Sequence, residues 1–166
     1  ENKLKFFTTI KEAVAFGDGR PVATAMINID MQAVGDWAER RGIAYSGYQD
    51  LAAKPQVYDL IRECVEKVNA DLAADPKLSG SQIHRFVVLH KELDADDGEL
   101  TRTRKVRRRF IAEKYESVIH ALYSDIDHCW VEAQVRFEDG RTGTVRAQLA
   151  VREAKTFPPQ AAVKAA

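Results

Sequence analysis

A dense group of basic side chains marks one segment of this 166-residue chain. Between Arg102 and Arg109 one lysine, Lys105, stands among five arginines, directly after an acidic stretch and ahead of an amphipathic run. An ammonium group is a compact charge suited to an oxygen of a phosphate or of a developing oxyanion. The segment therefore indicates anion-handling chemistry, with Lys105 as the candidate catalytic group.

The segments on either side place this lysine. The stretch from Asp94 to Gly98 is expected to form an acidic surface loop, and a helix is predicted from about Val106 to Tyr123. Lys105 would then lie where an extended segment gives way to the helix. Helix N-termini favour anions, which agrees with the chemistry inferred for the lysine.

The composition is typical of a globular protein without bulk charge. Apolar residues make up 45% and charged residues 30% of the chain, and the formal net charge is zero. Zero net charge gives no reason to expect a nucleic-acid-binding protein, although acids and bases are locally segregated. The two cysteines, Cys64 and Cys129, show neither metal-ligand nor redox spacing, which favours a cytoplasmic location.

Hydrophobic periodicity predicts an α+β domain. Residues 13–17 and 22–29 are expected to form an antiparallel hairpin, and 83–89 a further, central strand. Helices are predicted over 31–41 and from Pro55 onward, where apolar residues recur at three- and four-residue steps. The expected architecture is a small three-stranded sheet packed with helices, with a β-hairpin appended at its C-terminal end.

That second hairpin is predicted around Asp139 and Gly140. A two-residue loop would place the apolar residues of its strands on opposite faces, so one-sided burial requires an odd-length loop. We therefore predict a three-residue loop over 138–140, with Gly140 in the left-handed conformation. The predicted organisation is a domain over 1–123, a hairpin extension over 124–153 and a flexible tail over 154–166.

Several motifs, in order along the chain, resemble AMP-forming long-chain fatty-acyl-CoA synthetases. The segment from Leu100 to Arg108 is similar to the family pattern Leu-Thr-Pro-Thr-x-Lys-apolar-basic-Arg. Residues 1–5 resemble the junction that follows the family's hinge, and 115–123 resemble its Tyr…Ile-x-x-Leu-Tyr ending. Arg102 stands where the family usually has proline, which is expected to make the loop more flexible and more basic.

The resemblance implies that the chain is the small C-terminal lid domain of such an enzyme. Its partner would be the large N-terminal AMP-binding domain of the same chain, and its substrates fatty acid, ATP and CoA, with Mg²⁺ accompanying ATP. Carried over, Lys105 contacts the fatty-acid carboxylate and the ATP α-phosphate during adenylation. Arg104, Arg107 and Arg108 are candidates for phosphate contacts to ATP or CoA.

Two further expectations concern the fragment and its alternatives. The chain starts at Glu1 without an initiator methionine, so an excised fragment is expected. The fragment is expected to be inactive alone, because the resemblance implies that the ATP and acyl pockets belong to the large domain. Alternatively, the basic cluster over 102–109 would dock an acidic protein, RNA or anionic lipid, and peripheral membrane association stays open. No metal site is predicted, because a calcium loop counted back from Gly98 would begin at Leu93 and the histidines are scattered.

Overall fold

In this computed structural model, residues 1–136 and 139–160 are described, with side chains except those of 133–136 and 145. The elements are α1 (Asn2–Lys5), β1 (Ile10–Phe16), β2 (Ala23–Ile29), α2 (Met31–Arg40), α3 (Tyr48–Ala53), α4 (Pro55–Ala73), β3 (Ile83–Val88), α5 (Arg108–Lys114), α6 (Glu116–Leu122), β4 (His128–Arg136) and β5 (Thr142–Glu153).

The strands form one mixed sheet in the order β1-β2-β3-β5-β4. β1 and β2 pair antiparallel, as predicted, and β3 lies parallel to β2 after the crossover through α2, α3 and α4. β3 is an inner strand, which confirms its predicted central place. The α+β class is also confirmed, but the sheet has five strands in the described residues instead of three, because β5 pairs with β3.

One face of the sheet packs against α4. Pro55 begins this helix, as predicted, and Cys64 belongs to its buried apolar stripe. A buried amide fixes the helix to the sheet: Asn69 Nδ2 donates to the Ile83 carbonyl at 2.8 Å, and its Oδ1 accepts from the Ile83 N–H at 2.7 Å. Because buried polar groups need partners, this pair of bonds sets how α4 lies along β3.

The opposite face packs against α5 and α6, where the sequence predicts one continuous helix. The first of them begins at Arg108 and not near Val106, because Val106 pairs with Leu100 in a β-bridge. The helix then breaks at Tyr115. Arg85 on β3 satisfies the end of α6, since its guanidinium donates to two of the last carbonyls at 2.9 and 3.2 Å.

The C-terminal hairpin has the predicted register. Val131 pairs with Ala147, so the two side chains share a face, and both are buried. A two-residue loop would have placed Gln148 opposite Val131 and so turned one strand over. Gly140 has φ +83°, the predicted left-handed conformation. Residue 138 of the predicted loop lies outside the described residues.

Residues 154–160 lie against the domain, where the sequence predicts a flexible tail. The Ala154 N–H donates to the His84 carbonyl at 2.9 Å. Phe157 and Gln82 exchange two hydrogen bonds, of 2.7 and 2.8 Å. The predicted tail over 161–166 lies outside the described residues, and the division of the chain into domain, extension and tail stays a prediction.

No helix within residues 1–136 and 139–160 combines the length and the apolar character that a bilayer-spanning segment requires.

Candidate functional site: the Lys105 loop

The segment from Leu100 to Val106 forms a tight hairpin, named here the Lys105 loop. A β-bridge between its two end residues closes it, and the Thr101 N–H donates to the Lys105 carbonyl at 2.8 Å. Inside it, the Arg104 N–H donates to the Thr101 carbonyl at 2.9 Å, which makes a β-turn. Arg104 has φ +62°, the left-handed conformation that closes a three-residue hairpin loop.

Lys105 presents its amine at the surface of this loop. The residue is exposed, and within the described ranges its side chain makes neither an ion pair nor a hydrogen bond. Its main chain, by contrast, is fixed, because its N–H donates to Thr101 Oγ1 at 3.0 Å in addition to the carbonyl bond. The position therefore combines an ordered backbone with a cationic side chain that is open to a ligand.

The three arginines predicted to contact phosphates differ in how far the domain engages them. Arg104 is exposed and has no ion-pair partner in the part of the chain that the structure describes. Arg107 donates to the Gly98 carbonyl at 2.9 Å. Arg108 forms an ion pair with Glu1. Of the three, Arg104 therefore lies beside Lys105 with its charge available, whereas the other two already have partners.

A buried carboxylate lies at the base of the loop. Glu99 is 0% exposed, and its carboxylate accepts hydrogen bonds from Lys91, from the Tyr115 hydroxyl and from the Asp94 N–H, the last at 3.1 Å. The amine of Lys114 lies 3.2 Å from Glu99 Oε2. Sequence reasoning missed Glu99, which directly follows the expected surface loop over 94–98 and was noted only as one of the acids of this stretch. Glu99 stands at the end of the acidic stretch, directly before an apolar residue, and this position is the signal that could have distinguished it from the exposed acids.

Mutual pairing stabilises the charges around this carboxylate. Burial alone would lower the pKa of Lys91, but its hydrogen bonds to Asp97 and Glu99 outweigh burial and raise that pKa. Burial and the Glu99 carboxylate raise the pKa of Tyr115. Its hydroxyl therefore stays protonated and can donate a hydrogen bond to Glu99. A buried carboxylate is costly unless it is paired, and here two ammonium groups and a hydroxyl provide that pairing.

The histidines contribute no metal centre to the described part of the chain, where no group of three His, Cys, Asp or Glu side chains could hold a metal ion. His90 is 6% exposed, and neither of its ring nitrogens has a hydrogen-bond partner among the described residues. Burial, aided by the positive charge of Lys91, lowers the pKa of His90 to about 4. Its ring is therefore neutral near pH 7.

Most of the chain matches a known protein family. A family model described as the AMP-binding enzyme C-terminal domain matches residues 1–127. The chain belongs to this family. The Lys105 loop and the side chains around Glu99 all lie inside the matched range.

Relatives of this AMP-binding C-terminal domain are named as fatty-acid–CoA ligases. It is 34% identical to the long-chain-fatty-acid–CoA ligase FadD15 of Mycobacterium tuberculosis over 125 residues, which are 75% of this chain and 20% of that protein. It is 30% identical to the long-chain-fatty-acid–CoA ligase ACSBG1 of Rattus norvegicus over 100 residues, 59% of this chain and 13% of that one. The chain thus spans a fifth or less of the length of these relatives.

Two solved structures share the fold of this AMP-binding C-terminal domain. The adenylation domain of a carboxylate reductase from Mycobacterium chelonae gives a TM-score of 0.53 at 18% identity, over 75% of this chain and 17% of that one. The A-PCP didomain of the carboxylic acid reductase from Segniliparus rugosus, in complex with AMP, gives a TM-score of 0.51 at 13% identity, over 74% of this chain and 15% of that one. At these identities the likeness concerns the fold alone.

Proposed function

We propose that this domain is the C-terminal part of an AMP-forming long-chain fatty-acid–CoA ligase, in which Lys105 supplies positive charge to adenylation. The family match and the ligase names of the relatives support the enzyme class. The observation that carries the role of Lys105 is its exposed ammonium group, mounted on a hydrogen-bonded loop and left without a partner by the described residues. The domain covers 20% of FadD15, so the pockets for ATP and the acyl chain are assigned to the remainder of the ligase.

The proposed reaction has two halves. In the first, a carboxylate oxygen of the fatty acid attacks the α-phosphorus of ATP and pyrophosphate leaves, which gives an acyl-adenylate. In the second, the CoA thiolate attacks the acyl carbon, and AMP leaves as the thioester forms. In the transition state of the first half-reaction, negative charge is concentrated between the carboxylate and the α-phosphate. An ammonium group placed there lowers the energy of that transition state.

The loop geometry suits this first half-reaction. A lysine carries its charge on a flexible four-carbon stem, so Lys105 can reach beyond its own domain while its backbone stays fixed. Arg104, its exposed neighbour, is the arginine that we assign to a phosphate contact, whereas Arg107 and Arg108 would first have to release their present partners. Mg²⁺ would accompany ATP, whose pocket is assigned to the large domain.

The test is Lys105→Ala in the full-length ligase. Fatty-acid-dependent exchange of pyrophosphate into ATP should fall by about 10²- to 10³-fold, the usual cost of removing one charge-stabilising group. Conversion of supplied acyl-adenylate to acyl-CoA should survive. Arg109→Ala is the matched control, because the Arg109 side chain is 95% exposed and pairs with Glu113 on its own helix. Equal loss of both half-reactions, or unchanged exchange, would contradict the role of Lys105.

The structure weakens the case for the basic cluster as a docking module. Two of its arginines, Arg108 and Arg109, pair with carboxylates of the domain that offset part of their charge, whereas Arg107 donates to a neutral carbonyl. Fewer charges are then available to a polyanion. Binding to a polyanion that is lost steeply with added salt would nevertheless favour docking over ligase chemistry.

A further inference from the structure

We propose that Glu99 is a positioning residue for Lys105, an inference that rests on the proposed function and extends it. Glu99 is 0% exposed, so its carboxylate does not reach a substrate. It acts through the segment that follows it. What it sets is the direction in which the Lys105 loop leaves the domain.

The side chain of Glu99 fixes the chain before the loop. Its carboxylate accepts the Asp94 N–H at 3.1 Å, and its own N–H donates to the Asp94 carbonyl at 3.0 Å. Lys91 pairs with the same carboxylate and also with Asp97, at 2.8 Å. The acidic stretch that the sequence predicts as a solvated loop is thus folded around Glu99.

The same residue fixes the chain after the loop. The Arg107 N–H donates to the Glu99 carbonyl at 3.0 Å, which closes the base of the hairpin. Lys114 on α5 lies 3.2 Å from Glu99 Oε2, and the Tyr115 hydroxyl donates to that oxygen. One residue therefore joins both ends of the Lys105 loop, by its main chain at the base and by its side chain to the helix that follows.

Removal of the negative charge would loosen this arrangement. Lys114 would then lose its carboxylate partner and Lys91 would keep only Asp97, beside a neutral side chain at a buried position where loss of charge compensation is unfavourable. The base of the loop would open to relieve that cost. A displacement of about 1 Å in a reacting geometry can lower a rate by about 10²-fold, so adenylation should respond although Glu99 touches no substrate.

The experiment is a double-mutant cycle of Glu99→Gln and Lys105→Ala in the full-length ligase. Glu99→Gln alone should lower kcat for adenylation about tenfold or more, with KM for the fatty acid and the rate from supplied acyl-adenylate each within about twofold of wild type. In the Lys105→Ala background the same substitution should cost nothing further, because its effect passes through Lys105. Glu113→Gln, an exposed glutamate on α5, is the matched control and should keep the wild-type rate.

A second readout does not depend on activity. Hydrogen exchange of the amides over residues 99–107 should accelerate in Glu99→Gln and stay unchanged in Glu113→Gln, because the loop amides lose their anchored base. If Glu99→Gln does not fold, Tyr115→Phe takes its place in the cycle. It removes one donor to the carboxylate without changing charge, and it should give a smaller loss in the same direction.

Four outcomes would overturn the inference. Losses that multiply in the double variant, or that are equal in the two half-reactions, would make Glu99 a general stabilising residue. Unchanged adenylation in Glu99→Gln, with Lys105→Ala impaired, would reject the positioning role and leave the proposed function intact. Unchanged adenylation in Lys105→Ala would reject the proposed function, and the positioning role with it.

Discussion

The hydroxyl of Tyr115 donates a hydrogen bond to the buried carboxylate of Glu99. Tyr115 lies at the break between α5 and α6, and Glu99 lies at the base of the Lys105 loop. Their exposed fractions are 3% and 0%, so water does not compete for the bond. The bond therefore couples the packing of two helices to the position of a surface loop.

Tyr115→Phe should lower the free energy of unfolding by about 1–3 kcal/mol, because a buried charged acceptor loses a donor that water cannot replace. Urea denaturation followed by circular dichroism measures the change. Tyr45→Phe is the control, since the described residues give the Tyr45 hydroxyl no hydrogen-bond partner. Its effect should stay below about 0.5 kcal/mol. Equal effects of the two substitutions would contradict the importance of the bond.

Acid should destabilise the domain through His90. Burial lowers the pKa of His90 from 6.5 to about 4, so within this window the unfolded chain binds a proton that the folded chain does not. Stability then falls as the pH falls, by about 2 kcal/mol between pH 7 and pH 5 from this residue.

His90→Leu should remove that part of the pH dependence, as measured by urea unfolding at the two pH values. His120→Gln is the control, because His120 is exposed and should leave the slope as it is. A slope that survives in His90→Leu would show that other groups cause the acid sensitivity.

The left-handed backbone of Arg104 allows a test of the loop itself. At φ +62° a residue with a side chain is about 1–2 kcal/mol less favourable than glycine. Arg104→Gly should therefore keep or raise stability, whereas Arg104→Val, with its β-branched side chain, should lower it. Both variants lose the same charge, so the difference between their unfolding free energies reports the backbone alone. Equal stabilities would contradict the assigned conformation.

Gly35 in α2 makes a close approach to Tyr45. A Cβ added at Gly35 would lie 2.6 Å from Tyr45 Oη, so Gly35→Ala should destabilise the domain although alanine favours a helix by about 1 kcal/mol. In the Tyr45→Phe background that oxygen is gone, and the nearest ring carbon is 3.4 Å away. The same substitution should there be neutral or stabilising. An identical unfolding cost in both backgrounds would rule out the contact.

Elements that carry their own signals were predictable from the sequence. Asp30 caps α2 and Gly42, at φ +68°, follows its end, while Pro55 begins α4. The register of the second hairpin followed from the need to bury one face, with no knowledge of the rest of the fold. The break at Tyr115 carries no such signal, because the apolar spacing continues through it from α5 into α6.

Contacts between distant segments account for what the sequence did not predict. The exposure of Lys105 follows from its place between a polar loop and a helix, and this part of the site was within reach of sequence reasoning. The burial of Glu99 depends on Lys91, Lys114 and Tyr115 arriving from other elements. A carboxylate in a run of acids is otherwise expected in water, so local sequence pointed the other way.

β5 pairs with two different strands along its length. Its earlier residues pair with β4, and Val151, Arg152 and Glu153 pair with β3. The family match ends at residue 127, so this strand lies beyond it. In a version of the protein trimmed to that boundary, β3 would become an edge strand. Its unpaired amides and carbonyls could then pair with strands of other molecules. We therefore expect the trimmed domain to self-associate through β3, a route that pairing with β5 closes in the intact chain.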